Sequence, residues 1–226
     1  MKLVIGNRSY SSWSLRGWLA ARQSGLAFET EVVPLYVGNW DEAKGAIPTL
    51  APSAGKVPVL WTEEGGGEGV VWDSLAILEI LADKVGRDRF WPKADAPRGM
   101  ARALVAEMHA GFHALRSELP FNLRMAPIAK PLSPAVRADV DRILTLWAQA
   151  RARFGQGGPF LFGTFGAADI FYAPVVVRFR QYGVPVPGFA AAYMDAVWDH
   201  EWLEAWRGAA AEEPWAIPQF DAAAGV

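Results

Sequence analysis

Leu3, Val4 and Ile5 form a short aliphatic run closed by Gly6, the pattern of a buried strand. Leu15, Trp18, Leu19 and Arg22 follow at three-four spacing, with serines ahead as caps and Gly25 behind as a stop, which predicts a helix. Within Phe28 to Leu35, the pair Val32-Val33 before Pro34 predicts a second strand. Tyr36 to Gly55 is aromatic and irregular, with a short helix expected around Asp41 to Lys44. Val57-Pro58-Val59-Leu60-Trp61 reads as a strand entered through a proline, and Val70-Val71-Trp72 as its hairpin partner across a Gly65-Gly66-Gly67 turn. Leu75, Leu78, Leu81 and Val85 line one helical face after Asp73-Ser74 and close the unit.

The pattern then changes. Residues 86–97 are rich in Arg, Asp and Pro, and strand signals end there. Leu104, Val105, Met108, Phe112, Leu115 and Leu119 make one apolar stripe, expected as a long helix. Val136, Val140, Ile143, Leu144, Trp147 and Phe154 make a second, after Ser133-Pro134. A third run starts at Asp169 with Ile170, Phe171, Val175, Val176 and Phe179, kinked at Pro174, and shorter helices are expected from Phe189 to Trp206. The expected organisation is an α/β domain over residues 1–85, a linker over 86–97 and an all-α domain over 98–226.

Composition narrows the chemistry. The 226 residues are 52% hydrophobic and 20% charged, enough for a buried core. Twenty-two basic and 24 acidic residues leave a net charge of -2, so no field draws in nucleic acid or an anionic membrane, and neither is an expected partner. Cysteine is absent, which removes disulfides, thiolate metal sites and any protein thiol nucleophile. Sulfur chemistry here needs a thiol from outside. Met1 to Gly6 is too short an apolar stretch for a signal peptide and no later stretch has membrane-spanning length, so a cytoplasmic location is expected.

Ser11-Ser12-Trp13-Ser14 stands where the first strand hands over to the first helix. Unpaired backbone N–H groups and the positive helix end favour an anion there, and a thiolate is such an anion. A free thiol has a pKa of about 8.5, and lowering it by ~1.5–2 units takes roughly 2–2.7 kcal/mol. One charge-assisted hydrogen bond contributes about 1.5–3 kcal/mol and the helix end about 0.3–1, so a single aimed hydroxyl suffices. The plainer alternative is that these serines only cap the helix.

The order β-α-β, a hairpin entered by Val-Pro, a helix opened by Asp-Ser and then a helical domain resembles the cytosolic glutathione transferases over nearly the whole chain. Ser11-Ser12-Trp13-Ser14-Leu15-Arg16 is similar to the Ser-Ser-Cys-Ser-x-Arg opening of the zeta class and its bacterial relatives, with Trp13 in the cysteine position. The resemblance implies a thioredoxin-like N-terminal domain plus an all-α C-terminal domain, with glutathione as co-substrate and a small electrophile as partner. It further implies no metal, a homodimer, and a detoxifying conjugation or an isomerisation. Maleylacetoacetate isomerase is the suggested subtype, although Asp73 stands where that class has glutamine. A noncatalytic binding protein of the same fold is the alternative from another class.

By the same resemblance Ser11 binds and activates the thiol, with Ser12 second and Tyr10 a further candidate. Val57 pairs through its backbone with the cysteinyl part, ahead of a cis Pro58. Asp73 holds the γ-glutamyl ammonium and Ser74 its carboxylate. Tyr10, Trp13, Met108, Phe112, Arg116 and Arg124 are the candidates for the second-substrate pocket, where an arginine can hold an acidic substrate. Phe165-Gly166-Ala167-Ala168-Asp169-Ile170 resembles the family's N-capping box, with Gly166 in place of the hydroxyl residue.

Other signals carry plainer readings. His109 and His113, at i and i+4, have the spacing of a two-histidine metal pair, but no glutamate follows His109 and no third ligand is indicated, so a pocket-lining or solvent-facing role is expected. Gly65-Gly66-Gly67-Glu68-Gly69 lacks the Lys-Ser/Thr of a phosphate loop. Trp198, Trp202, Trp206 and Trp215 form either core or a lid over an apolar substrate.

Overall fold

The computed structural model describes residues 1–36, 38–64 and 67–224. Its N-terminal part is a mixed four-stranded sheet of β1 (Lys2–Ile5), β2 (Glu29–Val32), β3 (Val59–Glu64) and β4 (Gly67–Trp72), in the spatial order β2-β1-β3-β4. β1 is parallel to β2 and antiparallel to β3, with Leu3 opposite both Thr30 and Leu60. A parallel pair needs a crossover, and α1 (Ser12–Ser24) supplies it. Alternation along β1 feeds two cores. Leu3 and Ile5 join Leu15, Leu19, Leu60 and Leu78 under α1 and α3 (Ser74–Val85), while Val4 joins Val33, Leu50 and Val59 on the other face. That second face is covered by the short α2 (Trp40–Ala43) and a 3-10 turn over Pro48–Ser53. Of the expected Gly65-Gly66-Gly67 turn, Gly65 and Gly66 lie outside the described residues and Gly67 opens β4.

The elements that follow among the described residues are α-helices apart from a 3-10 turn at Arg87–Arg89: α4 (Asp95–Ala110), α5 (His113–Glu118), α6 (Pro134–Phe154), α7 (Ala167–Gln181), α8 (Gly188–Trp198), α9 (Glu201–Ala211) and α10 (Pro218–Ala224). The fold is thus a thioredoxin-like domain followed by a helical domain. α7 runs centrally and on through Pro174, with nearly every side chain buried, Arg178 included. Its N-terminus is held by Asp169, whose carboxylate accepts from the N–H of Gly166 at 2.9 Å and of Leu161 at 3.1 Å. α4 already begins at Asp95, inside the stretch expected as linker.

One expectation is corrected. The stripe from Leu104 to Leu119 is not one helix, because the chain breaks at Gly111 and Phe112 takes a left-handed φ of 57° before α5 restarts at His113. Met108, Phe112 and Leu115 are all buried on either side of the break, so apolar spacing continues where the helix does not. His109 and His113 therefore lie on different helices. Two of the four C-terminal tryptophans are placed by their contacts. Trp206 is fully buried, 5.5 Å ring to ring from Trp18, and donates to the carbonyl of Arg8, while Trp198 lies under the guanidiniums of Arg180 and Arg207.

Candidate active site

The loop before α1 is strapped from both sides. Asn7 accepts through its carbonyl from the N–H of Tyr10 and Ser11, and through Oδ1 from Leu35 N–H at 2.6 Å. Arg8 pairs with Glu213 at 3.1 Å, and the carbonyl of Ser9 accepts from Leu123 N–H at 2.8 Å, which ties the loop to the helical domain. At Gly17 an added Cβ would stand 2.6 Å from Cγ of Pro58. Glycine there lets α1 lie directly on Pro58, so that the start of α1 faces the Val57-Pro58 segment, whose peptide bond is cis. Val57 precedes the first laddered residue of β3 and makes no main-chain hydrogen bond among the described residues.

Ser11 is the N-cap of α1 and accepts from Ser14 N–H at 3.2 Å. The Ser11 and Ser14 hydroxyl oxygens are 2.8 Å apart, and Ser14 Oγ also accepts from Gly6 N–H at 2.9 Å. Ser11 and Ser12 are each 7% exposed, and both open on a cleft of about 870 Å³. Opposite them in the same cleft stands the N-terminus of α3. Asp73 caps it with a left-handed φ of 77°, accepting from Leu75 N–H at 2.8 Å, and Ser74 follows. Ser74 is 1% exposed, and its Oγ is buried with no hydrogen-bond partner among the described residues. Two helix N-termini thus border one cleft, a field that favours anionic groups at both ends of a bound molecule.

The far wall comes from the helical domain. His109 Nε2 lies 3.3 Å from Asp73 Oδ2, and its ring sits edge-on to Trp13 at 5.2 Å. The Trp13 ring carries the guanidiniums of Arg16 and Arg116, 4.6 and 4.5 Å from its centroid. Beside it an adjoining cavity of about 420 Å³ is lined by Ser12, Trp13, Arg116, Ser117 and Arg178 among others, none of them acidic. Arg16, Arg116 and Arg178 bond to backbone carbonyls rather than to carboxylates, Arg16 to Phe171 at 3.1 Å and Arg178 to Leu119 at 2.9 Å. Burial, with the charges of Arg178 and Arg116, pushes Arg16 well below the usual arginine range, and burial, with the charge of Arg116, brings Arg178 down to about 9. The region behind Trp13 is therefore short of negative charge.

α10 supplies the remaining side. Ile217 and Phe220 line the cleft, and Tyr10 anchors the helix: its hydroxyl donates to Asp221 at 2.9 Å and accepts from Ile217 N–H at 3.1 Å. Asn122 Nδ2 donates to the same carboxylate at 2.9 Å. Burial pushes the Tyr10 phenol up, with Asp221 adding to it.

Family models give the context for this geometry. The model described as glutathione S-transferase, N-terminal domain, matches residues 10–84, and that described as glutathione S-transferase, C-terminal domain, matches residues 130–211. The chain belongs to the glutathione S-transferase superfamily. A curated relative, glutathione S-transferase L2, chloroplastic, from Arabidopsis thaliana, is 26% identical over 176 residues; these are 73% of this chain but 49% of the relative, so the chain spans about half its length. Among solved structures, a Burkholderia glutathione transferase homolog with bound glutathione superposes with a TM-score of 0.68 at 19% identity, over 94% of this chain and 98% of that one. A bacterial zeta-class maleyl pyruvate isomerase superposes with a TM-score of 0.66 at 23% identity, over 96% of this chain and all (100%) of that one. These likenesses are of fold.

Within this glutathione transferase fold, the cleft brings together Ser11, Ser12, Val57, Pro58, Asp73 and Ser74, and from the pocket candidates Tyr10, Trp13 and Arg116. It does not bring in the other three. Met108 is fully buried in the core, and Phe112 is buried at the break before α5. Arg124 is exposed, with Nη1 donating to the carbonyl of Glu213 at 3.2 Å. His109 and His113, expected to line a pocket or face solvent, both line this cleft, whereas sequence reasoning left out Arg16 and Arg178 as buried cations, and Ile217 and Phe220. Arg178 does leave a trace in the sequence, as a charge inside the apolar run Val175 to Phe179. Phe220 leaves none.

Proposed function

We propose that the chain binds glutathione across this cleft and activates its thiol with the Ser11 hydroxyl for addition to, or isomerisation of, a small anionic electrophile. The observation that carries the reading is Ser74. A buried hydroxyl without a partner among the described residues is costly, about 1–3 kcal/mol, and this one belongs to a residue that lines the cleft at a helix N-terminus, opposite the serines of another. A carboxylate reaching Ser74 satisfies that hydroxyl, Asp73 Oδ2, which faces His109 Nε2 at 3.3 Å, has a further lone pair to meet an ammonium, and the Val57 main chain is available to the peptide between. The thiol end then falls at the start of α1. Ser11 stabilises the ionised sulfur by hydrogen bonding, and the helix end and the uncompensated arginines add to the same field.

Arg116 and Arg178, bordering the adjoining cavity beside Ser12, favour an electrophile that carries a carboxylate. The maleyl pyruvate isomerase neighbour has a name of the same chemical kind. Trp13 supplies a flat wall for a conjugated substrate. The proposal is tested by titrating the ultraviolet thiolate absorbance of bound glutathione in the wild type and in Ser11→Ala, together with turnover of paired acidic and esterified electrophiles. Ser11→Ala is expected to raise the bound thiol pKa by about one to two units. An unchanged pKa removes Ser11 from the mechanism, and equal turnover of acid and ester removes the anionic substrate.

A further inference from the structure

We infer that Ser14, which does not line the cleft, is a positioning residue that aims the Ser11 hydroxyl proton into it; the inference rests on the thiol role proposed for Ser11. Ser14 is fully buried, and its hydroxyl has two hydrogen-bond contacts among the described residues, Gly6 N–H at 2.9 Å and Ser11 Oγ at 2.8 Å. Gly6 N–H can only donate, so Ser14 Oγ is an acceptor from that side. One proton can lie between the two serine oxygens, and it comes from one of them.

If Ser11 donates, Ser14 accepts twice and its own proton is left buried without an acceptor, at a cost of about 1–3 kcal/mol. If Ser14 donates, every group is satisfied. Gly6 N–H feeds Ser14, Ser14 O–H feeds Ser11, and Ser11 Oγ, which already accepts from Ser14 N–H at 3.2 Å, has both acceptor sites filled. The Ser11 proton then has one direction left, out of the cap and into the cleft that Ser11 lines. Chained donors polarise one another, so Ser14 also strengthens the bond that Ser11 offers. Ser12 hydrogen-bonds no other side chain among the described residues, so nothing in the protein fixes its proton. The third serine of the run thus separates the roles of the first two.

The test compares Ser14→Ala, Ser14→Cys and Ser11→Ala with the double variant Ser11→Ala/Ser14→Ala. Cysteine keeps the volume and offers a weaker donor, which guards against loss of folding in the alanine variant. The readouts are the pKa of the bound glutathione thiol and the affinity for S-methylglutathione, which has no ionisable thiol. Ser14→Ala is expected to raise the thiol pKa by about one unit, a roughly tenfold loss of thiolate near neutrality, with Ser14→Cys in between. S-methylglutathione affinity stays at the wild-type value, and the double variant rises no further than Ser11→Ala alone. Ser14 variants with the wild-type thiol pKa, or a double variant in which the two shifts add, overturn the relay. If Ser11→Ala itself leaves the pKa unmoved, it is the thiol role of Ser11 that fails.

Discussion

Replacing Ser74 by alanine is expected to move stability and affinity in opposite directions. In the free protein the Ser74 hydroxyl is buried without a partner among the described residues, so its removal recovers part of a desolvation cost of about 1–3 kcal/mol and leaves a gap of only one oxygen atom. Alanine is also the better helix former at the start of α3. The net expectation is a variant as stable as the wild type or more so, by up to about 1 kcal/mol, or ~2–4 °C in Tm for a chain of this size. Binding runs the other way. A hydrogen bond to a ligand carboxylate contributes about 1.5–3 kcal/mol, so the glutathione Kd should rise roughly ten- to hundredfold. At a glutathione concentration of about 100 times the wild-type Kd, ligand stabilises the wild type by ~2.7 kcal/mol, and a variant with tenfold weaker binding by only ~1.4. Thermal unfolding of both proteins with and without glutathione should therefore show the order of the two melting curves reversing when ligand is added. A variant that is less stable when free and is shifted by glutathione as much as the wild type would refute the assignment of Ser74 to the ligand.

Tyr10→Phe should free α10, since Tyr10 holds both Asp221 and the N–H of Ile217. Hydrogen exchange over residues 217–224 is expected to speed up while the bound thiol pKa stays put; a raised thiol pKa would return Tyr10 to the list of thiol activators. Asp169 gives a pH prediction. Burial holds its carboxyl up at about 7 against the backbone donors that cap α7, so between about pH 4 and 7 the folded state keeps a proton that the unfolded state has lost. Its contribution is fully present below pH ~4 and fades as pH rises through 7. Asp169→Asn should flatten that decline in chemical denaturation measured across the range, and an undiminished slope would assign it to other groups.

The elements that were legible in the chain are those with local causes. The strand-to-helix turn at Gly6 to Ser14, the Gly25 stop, the Ser133 cap with Pro134 behind it and the Asp73 cap are each fixed by a few neighbouring residues and appear where the spacing places them. The Ser-Ser-x-Ser run was legible for the same reason: it is one turn of one helix. The break at Gly111 and Phe112 was hidden because burial on both sides of it preserves the apolar rhythm.

What the sequence determined by itself was the two kinds of domain, that any sulfur chemistry needs a thiol from outside, and a serine-capped helix end of the kind that favours an anion. Tertiary structure alone decided which side chains meet there. Arg16, Arg116 and Arg178 come from three helices, Ser74 lies sixty-three residues from Ser11, and Phe220 arrives on a C-terminal helix that Tyr10 clamps over the cleft. Their proximity and their burial follow from packing between distant segments, and it is burial that turns a serine hydroxyl from an ordinary cap into a group in need of a ligand. Sequence placed Ser14 beside Ser11. Only the packing of α1 against the end of β1, with Gly6 N–H aimed at its oxygen, gives Ser14 a direction.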